Sequence, residues 1–349
     1  MRFSVSSTLD AIEARLALDP ALVRGVVDLA EVVRLVALDG DATRPASVLR
    51  LGHVVDALAR YLGEDGVAVH AVVARSVLSD LDLTSNERMR VRRWADDGRV
   101  EVLDEPGDRV LEVAELVGVP VVSGRAFTEF ADRYPWLPGG LLVPGPAGVS
   151  ARGQAVPALA PTRVLTRLWS CPEPGCAGFG TPRGDQPPPR LVAAAPTCPR
   201  HRARLADAGP RPPARVLAAR IDGVIRGRLA VREAAPVVLG RSPEVGFALA
   251  AWLGEEAMRW VSRSHLRLEL RGDALVVQDT STNGTTVRTA GGDVRLVAGQ
   301  AYGVGADDVV ELHRGVELAR PGRLRGGAAP PSSVMAEAPT IALRPPAGR

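Results

Sequence analysis

Along the first part of the chain, apolar positions recur in two rhythms, one helical and one of short unbroken runs. Asp19-Pro20 reads as an N-cap followed by a first-turn proline. It opens a helix running to about Val32, with Leu22, Val26, Leu29 and Val33 on one face. Residues 35–38 then read as a buried strand that ends in the turn Asp39-Gly40-Asp41. Helical spacing returns over 46–62, followed by a strand over 67–73 and a capped helix over 84–97. A strand over 100–103, a helix over 108–117 and a strand over 119–122 complete the series. Strands alternating with helices of this length predict a mostly parallel α/β sheet covered on both faces. Such sheets carry their sites at the carboxyl ends of the strands.

The pattern then breaks twice. Residues 134–151 are dense in proline and glycine, and 138–162 read as a linker that closes an α/β domain over 1–137. From Ala219 onward the strands become short, at the spacing of an all-β sandwich. Leu266, Leu268 and Leu270 alternate with charged residues, and Arg271-Gly272-Asp273 turns the chain into 274–278 as a hairpin. A second turn at Gly291-Gly292 precedes Val294 and Leu296, while Val309, Leu312 and Val316 belong to closing strands. Beyond Arg320 the chain is Gly, Pro, Ala and Ser with few apolar anchors, so 321–349 is predicted to be a disordered tail.

Composition adds a division that the total hides. With 46% hydrophobic and 24% charged residues, the 349-residue chain has ample core for globular domains. Its net charge of +3 is composite. Residues 1–150 hold 16 arginines against 23 acidic residues, 151–232 hold 14 against 4, and 233–349 hold 13 of each. Lysine is absent, so the arginine content is first a compositional bias, and no single arginine is functional evidence by itself. Three cysteines exclude a disulfide scaffold. Asp10, Glu13 and Arg15 interrupt the place where a secretion signal needs an apolar stretch. The expectation is a cytoplasmic protein without a membrane segment.

All three cysteines fall in the basic block, as Cys171-x4-Cys176 and, after twenty-one intervening residues, Cys198-x2-His201. Four N/S ligands in two close pairs suit a structural, tetrahedral zinc, and predict a small zinc ribbon over 163–216. Its flanks carry Arg163, Arg167, Arg200, Arg202, Arg204, Arg211 and Arg215, which either form a surface for RNA or DNA backbone beside the first domain, or are solvated, or face the acidic first domain.

In the first domain, Asp39, Asp41, Asp104, Glu105 and Asp108 follow predicted strands, where converging carboxylates bind Mg²⁺ or Mn²⁺. The order LVALDGDAT, EPGDRVLEVAEL, VPVVSGRAFTEFADRYPWL resembles the PIN-like ribonucleases of the NYN subgroup, over about 34–137. That resemblance implies Asp39, Asp41 and Asp108, with Glu112 one turn on, as metal-site and catalytic positions. Where that family carries a Ser-Asn-Asp segment, this chain has Ser123-Gly124-Arg125, which sets a cation where two metal ions would otherwise lie. Either the site is degenerate, or Glu129 or Asp132 replaces the missing ligand.

Three loop segments of the last block carry a second resemblance: Leu239-Gly240-Arg241-Ser242, Val261-Ser262-Arg263-Ser264-His265 and 279–285, sequence DTSTNGT. In this order and spacing they resemble a forkhead-associated (FHA) domain, over 217–320. The resemblance implies an eleven-stranded β-sandwich that binds phosphothreonine. Arg241 would supply a charge-assisted contact to phosphate, with Ser262, Arg263 and Thr282 as further donors. By the same resemblance Asn283 holds the peptide main chain, while Gly240, His265 and Gly284 shape the loops. The twenty residues between Arg241 and Ser262, with Trp252 and Trp260, are longer than usual, and a short helix is expected within 247–260. The resemblance also implies a preference for an aliphatic or acidic residue three places after phosphothreonine; Leu343 stands there relative to Thr340, so phosphorylated Thr340 is a candidate self-ligand.

Two functions emerge as expectations. One is a signalling adaptor that binds a phosphothreonine protein, a Ser/Thr kinase or its substrate. The other is a phosphorylation-directed, metal-dependent ribonuclease using the first-domain carboxylates.

Overall fold

The computed structural model describes residues 5–153, 161–321 and 333–337. The first sheet has the order β3-β2-β1-β4-β5-β6, built from β1 (Val23–Asp28), β2 (Ala68–Ala74), β3 (Glu101–Leu103), β4 (Val121–Val122), β5 (Leu141–Gly145) and β6 (Gly148–Ala151). The first five are parallel and β6 returns antiparallel. Helices α1 (Val5–Glu13), α2 (Leu29–Val32), α3 (Arg50–Leu62) and α4 (Ser85–Asp96) accompany it, with α5 (Arg109–Val117) on the opposite face. Alternate strand residues supply the two cores. Val27, Val69 and Val73 pack with Leu51, Leu58 and Trp94, while Val26, Val72 and Val121 pack with Leu111, Ala114 and Tyr134. Thr84 caps α4 in a reciprocal box with Glu87, as the sequence predicts.

Two stretches depart from the sequence reading. Residues 23–28, expected to lie within a helix, form the central strand β1. Leu22, Val26, Leu29 and Val33 fit a helical face, but a strand buried on both faces followed by a helical turn meets the same spacing. The run 35–38, expected as a strand, is a 3-10 turn. The second departure concerns 138–153, the described start of the predicted linker 138–162, of which 154–160 lie outside the described residues. Leu141 and Leu142 are buried beside β4, and the hairpin β5–β6 turns at Gly148, whose φ is +136°. A proline-rich hairpin at the sheet margin reads as linker in sequence because its composition is that of a turn.

The middle block holds two small antiparallel pairs, β7 (Arg167–Ser170) with β10 (Ala206–Pro210), and β8 (Arg190–Val192) with β9 (Ala195–Thr197). Buried Gln186 ties the intervening loop to them, accepting from the Trp169 amide at 2.9 Å and donating to the Trp169 carbonyl at 2.6 Å.

The last block is a β-sandwich of eleven strands. One sheet has six, in the order β12-β11-β21-β20-β17-β18, and the other five, β14-β13-β15-β16-β19. In chain order these are β11 (Ala214–Ile221), β12 (Val224–Arg232), β13 (Val237–Gly240), β14 (Phe247–Ala248), β15 (Leu266–Arg271) and β16 (Ala274–Asp279). They continue as β17 (Thr286–Thr289), β18 (Gly292–Arg295), β19 (Ala301–Val304), β20 (Val309–His313) and β21 (Val316–Ala319). Leu217, Val231, Leu266, Leu268, Leu275, Val277 and Val310 fill the core. The β11–β12 hairpin meets the first domain through the Arg220–Asp65 pair at 2.8 Å, the Arg232–Asp19 pair, and Arg15 donating to the Ile225 carbonyl at 3.0 Å. Among the described residues, no helix is long and apolar enough to cross a membrane.

Candidate functional site

One end of the sandwich gathers the loops after β13, before β15 and after β16. Gly240 lets two of them cross, since a Cβ there would stand 2.2 Å from the Arg263 carbonyl oxygen. The Arg241 amide donates to the Ser262 carbonyl at 2.9 Å, and the Ser242 amide donates to that of Arg263 at 3.2 Å. Buried His265 accepts the Ser262 amide on Nδ1 at 3.0 Å. Burial lowers the imidazole pKa to about 4, against the pull of Asp279, and so keeps that acceptor neutral. The third loop is shaped by its own short side chains. Asp279 accepts from the Ser281 amide at 2.9 Å, Ser281 from that of Gly284 at 2.7 Å, and Gly284 takes φ +83°.

On this frame Ser262 Oγ accepts the Thr282 amide at 3.1 Å, which brings the second and third loops together. Asn283 Nδ2 donates to the Trp260 carbonyl at 2.8 Å, and Arg241 Nη1 to that of Met258 at 3.0 Å. Both carbonyls belong to the last turn of α6 (Glu255–Trp260), the short helix in the long connection. Arg241, Ser262, Thr282 and Asn283 therefore share one hydrogen-bonded edge, with Arg263 exposed beside them. Two contributors, Arg295 and His313, escaped the sequence reading. Arg295 donates from Nη2 to the Asn283 carbonyl, and Trp260 stacks on His313 with ring centroids 5.8 Å apart. The β17–β18 register, Thr286 opposite Arg295, was the available signal for the arginine.

The cysteine pairs also converge. Cys171, Cys176, Cys198 and His201 place their ligand atoms within 4.8 Å of one another. Cys176 and Cys198 sulfurs are 3.8 Å apart, and His201 Nδ1 is 3.4 Å from Cys171 Sγ and 3.7 Å from Cys198 Sγ. A tetrahedron with metal–sulfur bonds of about 2.3 Å has edges of roughly 3.5–3.8 Å, so the donor set fits such an ion.

The first-domain carboxylates do not converge. Asp39 pairs with Arg50 at 3.0 Å, and Asp41 caps its own turn by accepting from Thr43. Asp108 accepts from Tyr134 at 2.8 Å and from Arg133 at 2.5 Å, while Glu112 accepts from Arg109 at 2.8 Å and from the Leu191 amide. Among the described residues, the cysteine–histidine set is the one group of three or more such side chains close enough to share an ion. Because β1 is 23–28, the carboxylate at its end is Asp28, which lies 3.7 Å from Arg125. Burial raises the Asp28 and Glu31 pKa values, against the pull of Arg125. Glu129 also pairs with Arg125, at 2.9 Å.

Comparison with known proteins agrees with the sandwich. Residues 237–312 match the FHA domain family. The chain is similar to the FHA domain of FhaA, solved in complex with the intracellular domain of Rv3910: 29% identity over 30% of this chain and 97% of that one, TM-score 0.22. It is similar also to a domain solved in a study of phosphothreonine-dependent FHA domain interactions, at 26% identity over 30% and 93% of the two chains, TM-score 0.22. A third is the FHA domain of the CT664 protein from Chlamydia trachomatis, at 18% identity over 31% and 95%, TM-score 0.24. None of the curated proteins matches the chain. The family match carries the assignment of the last block: the protein has an FHA domain, joined to an α/β region.

Proposed function

We propose that the protein is a phosphothreonine-binding adaptor, and that its FHA domain recruits a phosphorylated partner, a Ser/Thr kinase or a kinase substrate. The observation that carries this reading is the shared edge of Arg241, Ser262, Thr282 and Asn283, built from three loops. A phosphothreonine brings close to two negative charges and three acceptor oxygens. Arg241 supplies the matching cation, Ser262 and Arg263 add donors, and the Asn283 amide retains an acceptor for a peptide N–H. In this reading the chain comprises an α/β domain, a zinc ribbon over 163–216 and the FHA domain. Cys171, Cys176, Cys198 and His201 hold a structural Zn²⁺ whose role is to fold the ribbon.

The PIN-like ribonuclease reading has less behind it. Asp39 and Asp41 share one turn, and Asp108 and Glu112 share the approach of Arg190, but each of the four has its own arginine, hydroxyl or amide partner. No observation gathers them around Mg²⁺ or Mn²⁺, or puts RNA beside them. Arg241→Ala tests the preferred function. Affinity for a phosphothreonine peptide is expected to fall at least tenfold, a charged hydrogen bond to phosphate contributing about 1.5–3 kcal/mol, with thermal stability nearly unchanged. Undiminished affinity would remove Arg241 from the phosphate site.

A further inference from the structure

The segment 333–337, expected to be part of a disordered tail, is seated on the first domain. Asp56 on α3 is only 5% exposed, and its carboxylate accepts three hydrogen bonds from this segment. The donors are Ser333 Oγ at 2.5 Å, the Val334 amide at 2.7 Å and the Met335 amide at 3.1 Å. Val334 is buried in the core that contains Leu9, Leu51 and Val55. Met335 lies over Gly52, one helical turn before Asp56, where a Cβ would come within 2.4 Å of its sulfur. A buried carboxylate and a residue without a side chain, four positions apart on one helix, thus form a seat for this segment.

We propose that Ser333 is a modification site, and that a phosphate on its hydroxyl opens this clasp. Ser333 is exposed while its acceptor is buried, so the hydroxyl lies at the rim of the contact. A phosphate at the start of a helical turn is ordinarily favoured by the free amides there. Here the Val334 amide donates to Asp56, and the Met335 amide is shared between Asp56 and Ser333 Oγ at 3.1 Å each, so the new dianion meets the Asp56 carboxylate across donors that are already engaged. Removing the hydroxyl proton also removes the 2.5 Å bond. Arg15 and His53 are among the groups that feel Asp56, and Arg15 already donates to the Ile225 carbonyl. The step needs a nucleoside triphosphate. Its γ-phosphoryl group forms a bond to Ser333 Oγ, the bond to the bridging oxygen breaks, and the nucleoside diphosphate and the hydroxyl proton leave.

The test is hydrogen exchange of the Val334 and Met335 amides in the full chain, with serine or genetically encoded phosphoserine at 333. Phosphorylation is expected to speed exchange at least tenfold. In an Asp56→Asn background, which keeps an acceptor but not the charge, the same modification should change exchange less than threefold. In Arg241→Ala the tenfold effect should persist. Equal protection with and without phosphate would overturn the proposal, as would an undiminished effect in Asp56→Asn. Loss of the effect in Arg241→Ala would overturn it too, since the FHA pocket would then be pulling the segment away.

Discussion

His265 links the stability of the sandwich to the geometry of its loops. Its Nδ1 must be unprotonated to accept the Ser262 amide, and burial lowers its pKa from about 6.5 to about 4. The unfolded chain therefore binds a proton that the folded one refuses between these values, so its contribution is complete above about 6.5 and is lost as pH falls towards 4. The expected effect is about 3 kcal/mol across that window. A thermal-denaturation series over pH 4–7 should slope in the native protein and flatten in His265→Gln. Equal slopes would place the dependence elsewhere. At this scale the loop residues were legible because each of the segments 239–242, 261–265 and 279–285 is a short motif in its own right, although the bonds between them, such as Ser262 with Thr282, span twenty residues. Arg295 was not, because it reaches Asn283 only through the pairing of two strands.

The elements were legible where one periodicity excluded the other. Helix α4, with its capping box, fits only a helix, and β15 with β16 fits only a hairpin. Strand β1 was misread because six residues buried on both faces show no alternation, and the displaced strand end drew attention to Asp39 and away from Asp28. The ribbon is the opposite case. Its strands are three to five residues long, too short for a pattern, yet the cysteine spacing anticipates the cluster of Cys171, Cys176, Cys198 and His201. With so little apolar area, the ribbon is expected to depend on its ion. Elemental analysis should find one zinc per chain, lost in Cys171→Ser, with the ribbon amides then unprotected. A metal-free native chain with a fully protected ribbon would contradict this.

Across the whole molecule the charge division acquires a structural meaning. Several arginines of the basic block face the acidic first domain: Arg220 meets Asp65, Arg232 meets Asp19, and Arg190 approaches Asp108 at 3.8 Å. The reverse pattern holds at Arg109, which is fully buried in the first domain. It pairs with Glu101 and Glu112 at 2.8 Å each and donates to the Pro188 and Pro189 carbonyls of the ribbon loop. Burial alone would raise the Glu101 pKa, but Arg109 and His70 bring it down to about 2. Arg109→Ala leaves two buried carboxylates without their cation, so a loss of about 3–5 kcal/mol is expected. Chemical denaturation should show it, together with faster proteolysis within 184–190. A loss below about 1 kcal/mol would mean that water replaces the guanidinium. Such contacts, like that of Asp56 with Ser333, join residues far apart in the chain and have no local signature.

Phosphothreonine binding at the loop end of the sandwich is tested most directly by amide chemical-shift mapping of the full chain. A degenerate phosphothreonine peptide library is predicted to shift Arg241, Ser262, Thr282 and Asn283, and the unphosphorylated library to leave them in place. Equal responses to both libraries, or shifts confined to the first domain, would contradict it.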